Sequence, residues 1–100
     1  MYTALVTYTL PNPRSRAAML ERFKQSEARF QSLPNLVRKD FCYDEASHTG
    51  HSVYLWDSEA AARGFFSEAF LTGFEKSFGC RPNVVFVDTL LVVDNQRGNT

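Results

Sequence analysis

Few side chains in this 100-residue sequence are equipped for chemistry, and their spacing narrows what chemistry that is. The two histidines, His48 and His51, lie three residues apart in a polar stretch that reads as a loop and the start of a strand. An i, i+3 pair serves a metal when it lies on a helix face with a Glu-x-x-His or Cys/His partner, and neither condition is met. No metal site is expected. His51 remains a candidate catalytic base, because imidazole titrates near neutral pH. Tyr54 is the second catalytic candidate, since a phenol carries a hydroxyl that needs a partner when buried. Trp56 follows on the same strand face, either as core packing or as a substrate wall. Arg38 and Asp40 share a face of another strand, as a solvated pair or an anion anchor. Cys42 and Cys80 form no CxxC and have no flanking base, so both are expected as free thiols. The glycines make no GxGxxG or phosphate loop, and no GxSxG is present. No cofactor is therefore expected.

Nine phenylalanines are the unusual feature of the composition. Phe23, Phe30, Phe65, Phe66, Phe70, Phe74 and Phe78 all fall in segments of helical periodicity. Aromatic side chains ordinarily build a core. So many on the helices of a small domain are hard to bury against one sheet face, so some are expected to line a cavity. Ligand pockets are mostly apolar with a few placed polar groups. The expected substrate-binding set is Phe23, Ser26, Trp56, Phe65, Phe66 and Phe70, with the cavity between sheet and helices.

The elements that must position these residues follow from pattern. Residues 2–10 are β-branched and aromatic and read as a strand ended by Pro11 and Pro13. Met19, Phe23, Ser26, Phe30 and Leu33 recur on one helix face over residues 14–32. Pro34 closes that helix, and Asn35 suits the left-handed turn that follows. Residues 36–44 read as a strand with Val37, Lys39, Phe41 and Tyr43 on one face and Leu36, Arg38, Asp40 and Cys42 on the other. A hairpin loop over 45–50 leads to a strand over 51–56. Tyr54 and Trp56 take one face of it, and His51, Val53 and Leu55 the other. Ser58 is an N-cap, and an apolar stripe through Ala61, Ala62, Phe65, Phe66, Ala69 and Phe70 marks a helix. A break is expected at Gly73, then a short helix bearing Phe74 and Phe78, ended by Gly79. Residues 84–93 read as a strand apolar on both faces, and residues 95–100 as a polar tail.

The order is β-α-β-β-α-β, the ferredoxin-like α+β arrangement with an antiparallel four-stranded sheet, in one domain over residues 1–94. Helices cover only one face of such a sheet. The other face is also apolar, so a homodimer is expected. Eleven basic residues balance eleven acidic ones with no basic cluster, which speaks against a nucleic-acid partner. No apolar run reaches the roughly 20 residues of a membrane helix, so no membrane partner is expected. The first segment has neither a charged start nor a small-residue cleavage site, and a cytoplasmic location is the expectation.

Four local patterns, in order, carry a family resemblance: Ala4-Leu-Val-Thr-Tyr, Ala28-Arg-Phe-Gln-Ser-Leu-Pro-Asn-Leu-Val-Arg-Lys, Ser52-Val-Tyr-Leu-Trp-Asp-Ser and Gly73-Phe-Glu-Lys-Ser-Phe-Gly. Together they span nearly the whole chain. It resembles the dimeric α+β barrel superfamily that includes the antibiotic-biosynthesis mono-oxygenases, and more narrowly the YdhR-like mono-oxygenases. Asn35 stands where that pattern usually has Gly, and a left-handed turn accepts either. The resemblance implies a cofactor-independent mono-oxygenase acting on a small aromatic or polyketide-like substrate. The alternative is a non-enzymatic small-molecule-binding or stress-related dimer, and an isomerase or cyclase on the same fold is a third reading. The haem-degrading branch places its iron-binding His in the second helical region. Here no His follows residue 51, and Phe74 stands near that place, so haem is not expected.

Overall fold

Alternation along the first strand decides which side of the sheet is covered. In the computed structural model, which describes residues 1–96, β1 (Tyr2–Thr9) buries Ala4, Val6 and Tyr8 on one face and exposes Leu5 on the other. Residues 97–100, the end of the polar tail expected over 95–100, lie outside the described residues. β1 is followed by α1 (Arg16–Lys24), α2 (Glu27–Gln31), β2 (Leu36–Asp44), β3 (Thr49–Trp56), α3 (Glu59–Phe65), α4 (Glu68–Phe78) and β4 (Asn83–Asp88). The strands form one antiparallel sheet in the order β2-β3-β1-β4. The core gathers the inward side chains of β1 and β3 with Met19, Ala62, Phe66 and Phe78 from the helices. The chain therefore has the expected ferredoxin-like α+β architecture, with each helical arm split in two. Among the described residues no helix is long and apolar enough to cross a membrane.

Both splits hide inside a continuous apolar stripe. The first arm breaks at Gln25 and Ser26, where the backbone tightens and Ser26 N donates to Phe23 O at 3.0 Å. The second breaks at Phe66, not at the expected Gly73, which lies inside α4. Ser67 is the reason: its hydroxyl accepts from Phe70 N at 3.3 Å and caps a new helix. Ser15 and Ser58 cap α1 and α3 in the same way. Asn35 is left-handed as expected, with φ 71°, and its carbonyl accepts from Asp57 N at 3.0 Å. That bond ties the start of β2 to the end of β3.

β2 carries an irregularity between Leu36 and Arg38. Leu36 faces Trp56 and packs on the core, Val37 is exposed, and Arg38 faces Leu55. The extra residue corrects the expected faces: Leu36 joins Lys39 and Phe41 on the inward side, and Val37 leaves it. Gly50 belongs to β3 and not to the hairpin loop. It stands opposite Tyr8, whose ring lies across it, so a Cβ at residue 50 would collide with the ring carbons and hydroxyl of Tyr8.

The last strand is shorter than expected. Its register ends where Asp88 pairs with Tyr2, the first residue of β1. Beyond that point β1 offers no further partner for the backbone. Thr89 still holds through its N–H to Met1 O at 3.1 Å, and its hydroxyl meets that of Thr3 at 2.6 Å. Leu90, Leu91 and Val93 then stand exposed, 88%, 82% and 77% respectively. With Leu5, Val85 and Val87 they leave the outer face apolar and uncovered.

Two glycine substitutions should move stability in opposite directions. Gly73→Ala adds a methyl to open space inside a helix and should stabilise by about 0.5–1 kcal/mol. Gly50→Ala must displace the Tyr8 ring and should destabilise by about 1–3 kcal/mol. Urea unfolding of both variants at one pH measures the pair; equal behaviour would contradict the packing described for Tyr8.

Candidate functional site

The inward row of β3 grows along its length: Gly50, Ser52, Tyr54, Trp56. Over the large end the core is solid. Trp56 lies parallel to Tyr54 with ring centroids 6.0 Å apart, and Phe65 and Phe66 close on both, at 5.2 Å from Trp56 and 5.0 Å from Tyr54 respectively. Over the small end a cavity of about 330 Å³ opens between sheet and helices. That volume lies at the lower end of small-molecule sites. Val6, Tyr8, Lys39, Phe41, Ser52 and Tyr54 form its sheet side. α1 contributes Arg22 and Phe23, the junction Ser26, α2 Arg29 and Phe30, and α4 a row from Ala69 and Phe70 to Phe78.

Four expected site residues meet at this cavity: Phe23, Ser26, Tyr54 and Phe70. Four do not line it. Trp56, Phe65 and Phe66 are the packed cluster behind Tyr54. His51 is the clearest departure. It is exposed on the outer face, because side chains in a strand alternate and residue 51 is odd where Ser52 and Tyr54 are even. Arg38 and Asp40 pair at 3.1 Å, also away from the cavity. Cys42 is exposed, Cys80 is half-buried, and both are free.

Sequence reasoning passed over Arg22, Arg29, Lys39, Phe41, Ser52 and Phe74. A signal was present for three of them. Arg22 is three residues past Met19 and four before Ser26, and Arg29 three past Ser26, so both sit within the apolar stripe. Lys39 had its signal in sharing a strand face with Phe41. Its ammonium is caged by rings: Nζ lies 3.6 Å from the centroid of Phe30, 3.9 Å from Phe41 and 4.4 Å from Tyr54.

The electrostatics of the cavity are one-sided. Burial, with Arg29 and Arg22 adding repulsion, brings Lys39 down to about 7. The three ring faces act the other way, since a π-face attracts a cation. Burial pushes the Tyr8 phenol up to about 12, and Cys80 and Tyr43 add to that. Burial also holds the Tyr54 hydroxyl well above the ordinary phenol range. Both phenols therefore stay protonated at neutral pH and can donate to a ligand oxygen. Arg22 is fixed by a 2.9 Å bond from Nη1 to Ser26 Oγ and by the Phe78 ring, 4.9 Å from its guanidinium carbon. Trp56 Nε1 is buried and finds no acceptor among the described residues. Among the described residues no three His, Cys, Asp or Glu side chains gather as a metal site.

No protein-family model matches the chain, and no curated protein matches its sequence. Among solved structures the chain is similar to a monooxygenase from the gene ActVA-Orf6 of Streptomyces coelicolor, whose crystal structure contains the ligand nanaomycin D. The TM-score is 0.63 at 14% sequence identity, over 92% of this chain and 89% of that one. The likeness is one of fold, and the fold is the one that the resemblance to antibiotic-biosynthesis mono-oxygenases implied.

The buried amine makes a testable demand on stability. Lys39 titrates lower in the folded chain than in the unfolded one, so between about pH 7 and 10 the unfolded chain holds more protons. Stability contributed through this residue must then rise with pH across that window, by at most about 1.4 kcal/mol per pH unit. Tyr8 and Tyr54 act oppositely only above about pH 10, where unfolded phenols ionise. Urea unfolding of wild type and Lys39→Met at pH 6.5, 8 and 9.5 isolates the effect. Wild type should gain on the variant as pH rises; a constant difference would mean that Lys39 stays charged throughout.

Proposed function

We propose that this protein is a YdhR-like mono-oxygenase that oxidises a small phenolic or enolic aromatic without a cofactor. The observation that carries this reading is the cavity beneath α1, α2 and α4, walled by rings, with the Tyr54 hydroxyl and the Lys39 amine among its lining. The fold shared with a monooxygenase supports it. The chemistry asks little of a protein. A phenol or enol loses a proton, its anion passes an electron to dioxygen, and the two radicals join as a hydroperoxide at carbon. Loss of water then leaves a carbonyl, so that one oxygen atom ends in product and the other in water, the substrate supplying all four electrons.

The roles in this proposal fall to the residues that the cavity brings together. Tyr54, protonated, donates to the substrate oxygen. Lys39 is the lining amine whose neutral form is accessible near neutral pH, and it takes the proton in place of His51. Phe23, Phe70 and Phe74 hold the aromatic body and exclude water. Trp56, Phe65 and Phe66 support Tyr54 from behind. The exposed apolar outer face supports a homodimer joined face to face. The free thiols of Cys42 and Cys80 fit a reducing, cytoplasmic setting.

Oxygen uptake decides the catalytic part. Hydroxylated anthrones and naphthols should be consumed with one dioxygen per substrate, and Tyr54→Phe should weaken their binding by about 1 kcal/mol through the lost hydrogen bond. Binding without oxygen consumption would leave a small-molecule-binding protein in place of an enzyme. Light scattering decides the assembly. Wild type should show a dimer mass at micromolar concentration, and Val85→Asp, which puts a charge on the outer face, should shift it toward monomer. A monomeric wild type would end that part of the proposal.

A further inference from the structure

The basic side chains of this protein are paired where pairing matters least and unpaired where it matters most. Arg38 meets Asp40 at 3.1 Å, Arg63 meets Glu59 at 2.8 Å and Arg81 meets Glu68 at 2.8 Å, all at the surface. Exposed pairs of this kind add little to stability, because water already solvates both charges. The cavity reverses the pattern. Arg22, Arg29 and Lys39 line it, no carboxylate does, and none of the three makes an ion pair among the described residues.

We infer that the cavity is built to hold an aromatic anion, its negative charge set among Arg22, Arg29 and Lys39. The inference rests on reading the cavity as a site for an aromatic ligand, and it adds the charge that the ligand must carry. Of the three, Lys39 is withdrawn from water, and its charged form is costly there unless an anion accompanies it. Ring faces hold Lys39 and both arginines in place without neutralising them. The elements around Lys39 offer no substitute. β1 and β3 present the protonated phenols Tyr8 and Tyr54, α4 presents the uncharged Ser77, and α1 and α2 present the two arginines. Glu27 is exposed, lines the adjoining groove with Lys39, and makes no ion pair with it. The missing partner is the ligand. The three cations come from α1, α2 and β2 and lie near enough for both arginines to repel Lys39, so one negative charge would relieve all three while the aromatic body packs on Phe23, Phe70 and Phe74.

Calorimetric titration with three isosteric probes at pH 7 tests this: 2-naphthoate, 2-naphthalenemethanol and 2-(aminomethyl)naphthalene. The anion should bind roughly tenfold or more tightly than the neutral alcohol, as charge-assisted hydrogen bonds predict, and the cation should not bind. Lys39→Met should remove most of that preference. Arg29→Gln changes an exposed side chain, leaves the fold undisturbed, and should reduce the preference severalfold. Equal binding of anion and alcohol would overturn the inference, as would failure of 2-naphthoate to bind, or a preference unchanged in both variants. Oxygen uptake keeps the two readings apart. Anion preference without uptake removes the oxygenase and leaves the anion site, and uptake without anion preference does the reverse.

Discussion

One extra residue in an edge strand sets the phase of the whole site. Without the irregularity at Val37, strict alternation from Leu36 would send Lys39 and Phe41 outward and Arg38 and Asp40 beneath the helices. With it, Leu36 keeps its place against the core opposite Trp56, and the strand still delivers Lys39 and Phe41 to the cavity. A bulge is a common way to re-aim side chains near a functional site. Here it sets Lys39 beside Tyr54, where unbroken pairing would set Arg38, and keeps the acid Asp40 out of the cavity. The anchor for this phase is the turn just before it, where left-handed Asn35 is held by Asp57 at the far end of β3.

The second constraint is a gradient of side-chain size. β3 presents Gly50, Ser52, Tyr54 and Trp56 in order, and the helices cannot fill both ends equally. At the Trp56 end the rings of Phe65 and Phe66 interlock with it in edge and tilted contacts. At the Ser52 end the layer above is a split helix arm and an α4 surface bearing Ala69, Gly73 and Ser77, which are too small to reach down. Aromatic abundance therefore does two jobs. It makes one half of the core rigid and lines the hollow left in the other half.

How much of this was legible depended on what each signal measured. The order of elements along the chain, the left-handed turn at Asn35 and the N-cap at Ser58 were readable because they rest on local chemistry. The splits at Ser26 and Phe66 were not, because the apolar stripe continues through both and periodicity alone carries no sign of a tightened turn. Ser67 held the missing clue, a second cap three residues before Phe70. In the site, alternation along β3 already separated His51 from Tyr54, and treating both as catalytic set aside that geometry. Trp56 was placed at the cavity because it shares a strand face with Tyr54, although large rings are what close a core. The bulge at Val37 left no mark, since every residue around it suits a strand. The shortened β4 was equally hidden: its length is set by where β1 begins, which no property of residues 84–93 reveals.

Tyr8 and Gly50 form a lock between two central strands, and it has an evolutionary reading. The ring occupies the space that any side chain at position 50 would need, so a change at 50 must displace it. A bulkier residue at 50 comes at least cost once the ring at 8 is given up. Tyr8 is also a wall of the cavity, edge-on to Phe74 at 4.8 Å between centroids. Loss of the Tyr8 ring thus frees the space over residue 50 and enlarges the ligand space together. Descendants with an altered residue 50 should be those that accept larger ligands, with the order of the two changes written into their ancestry.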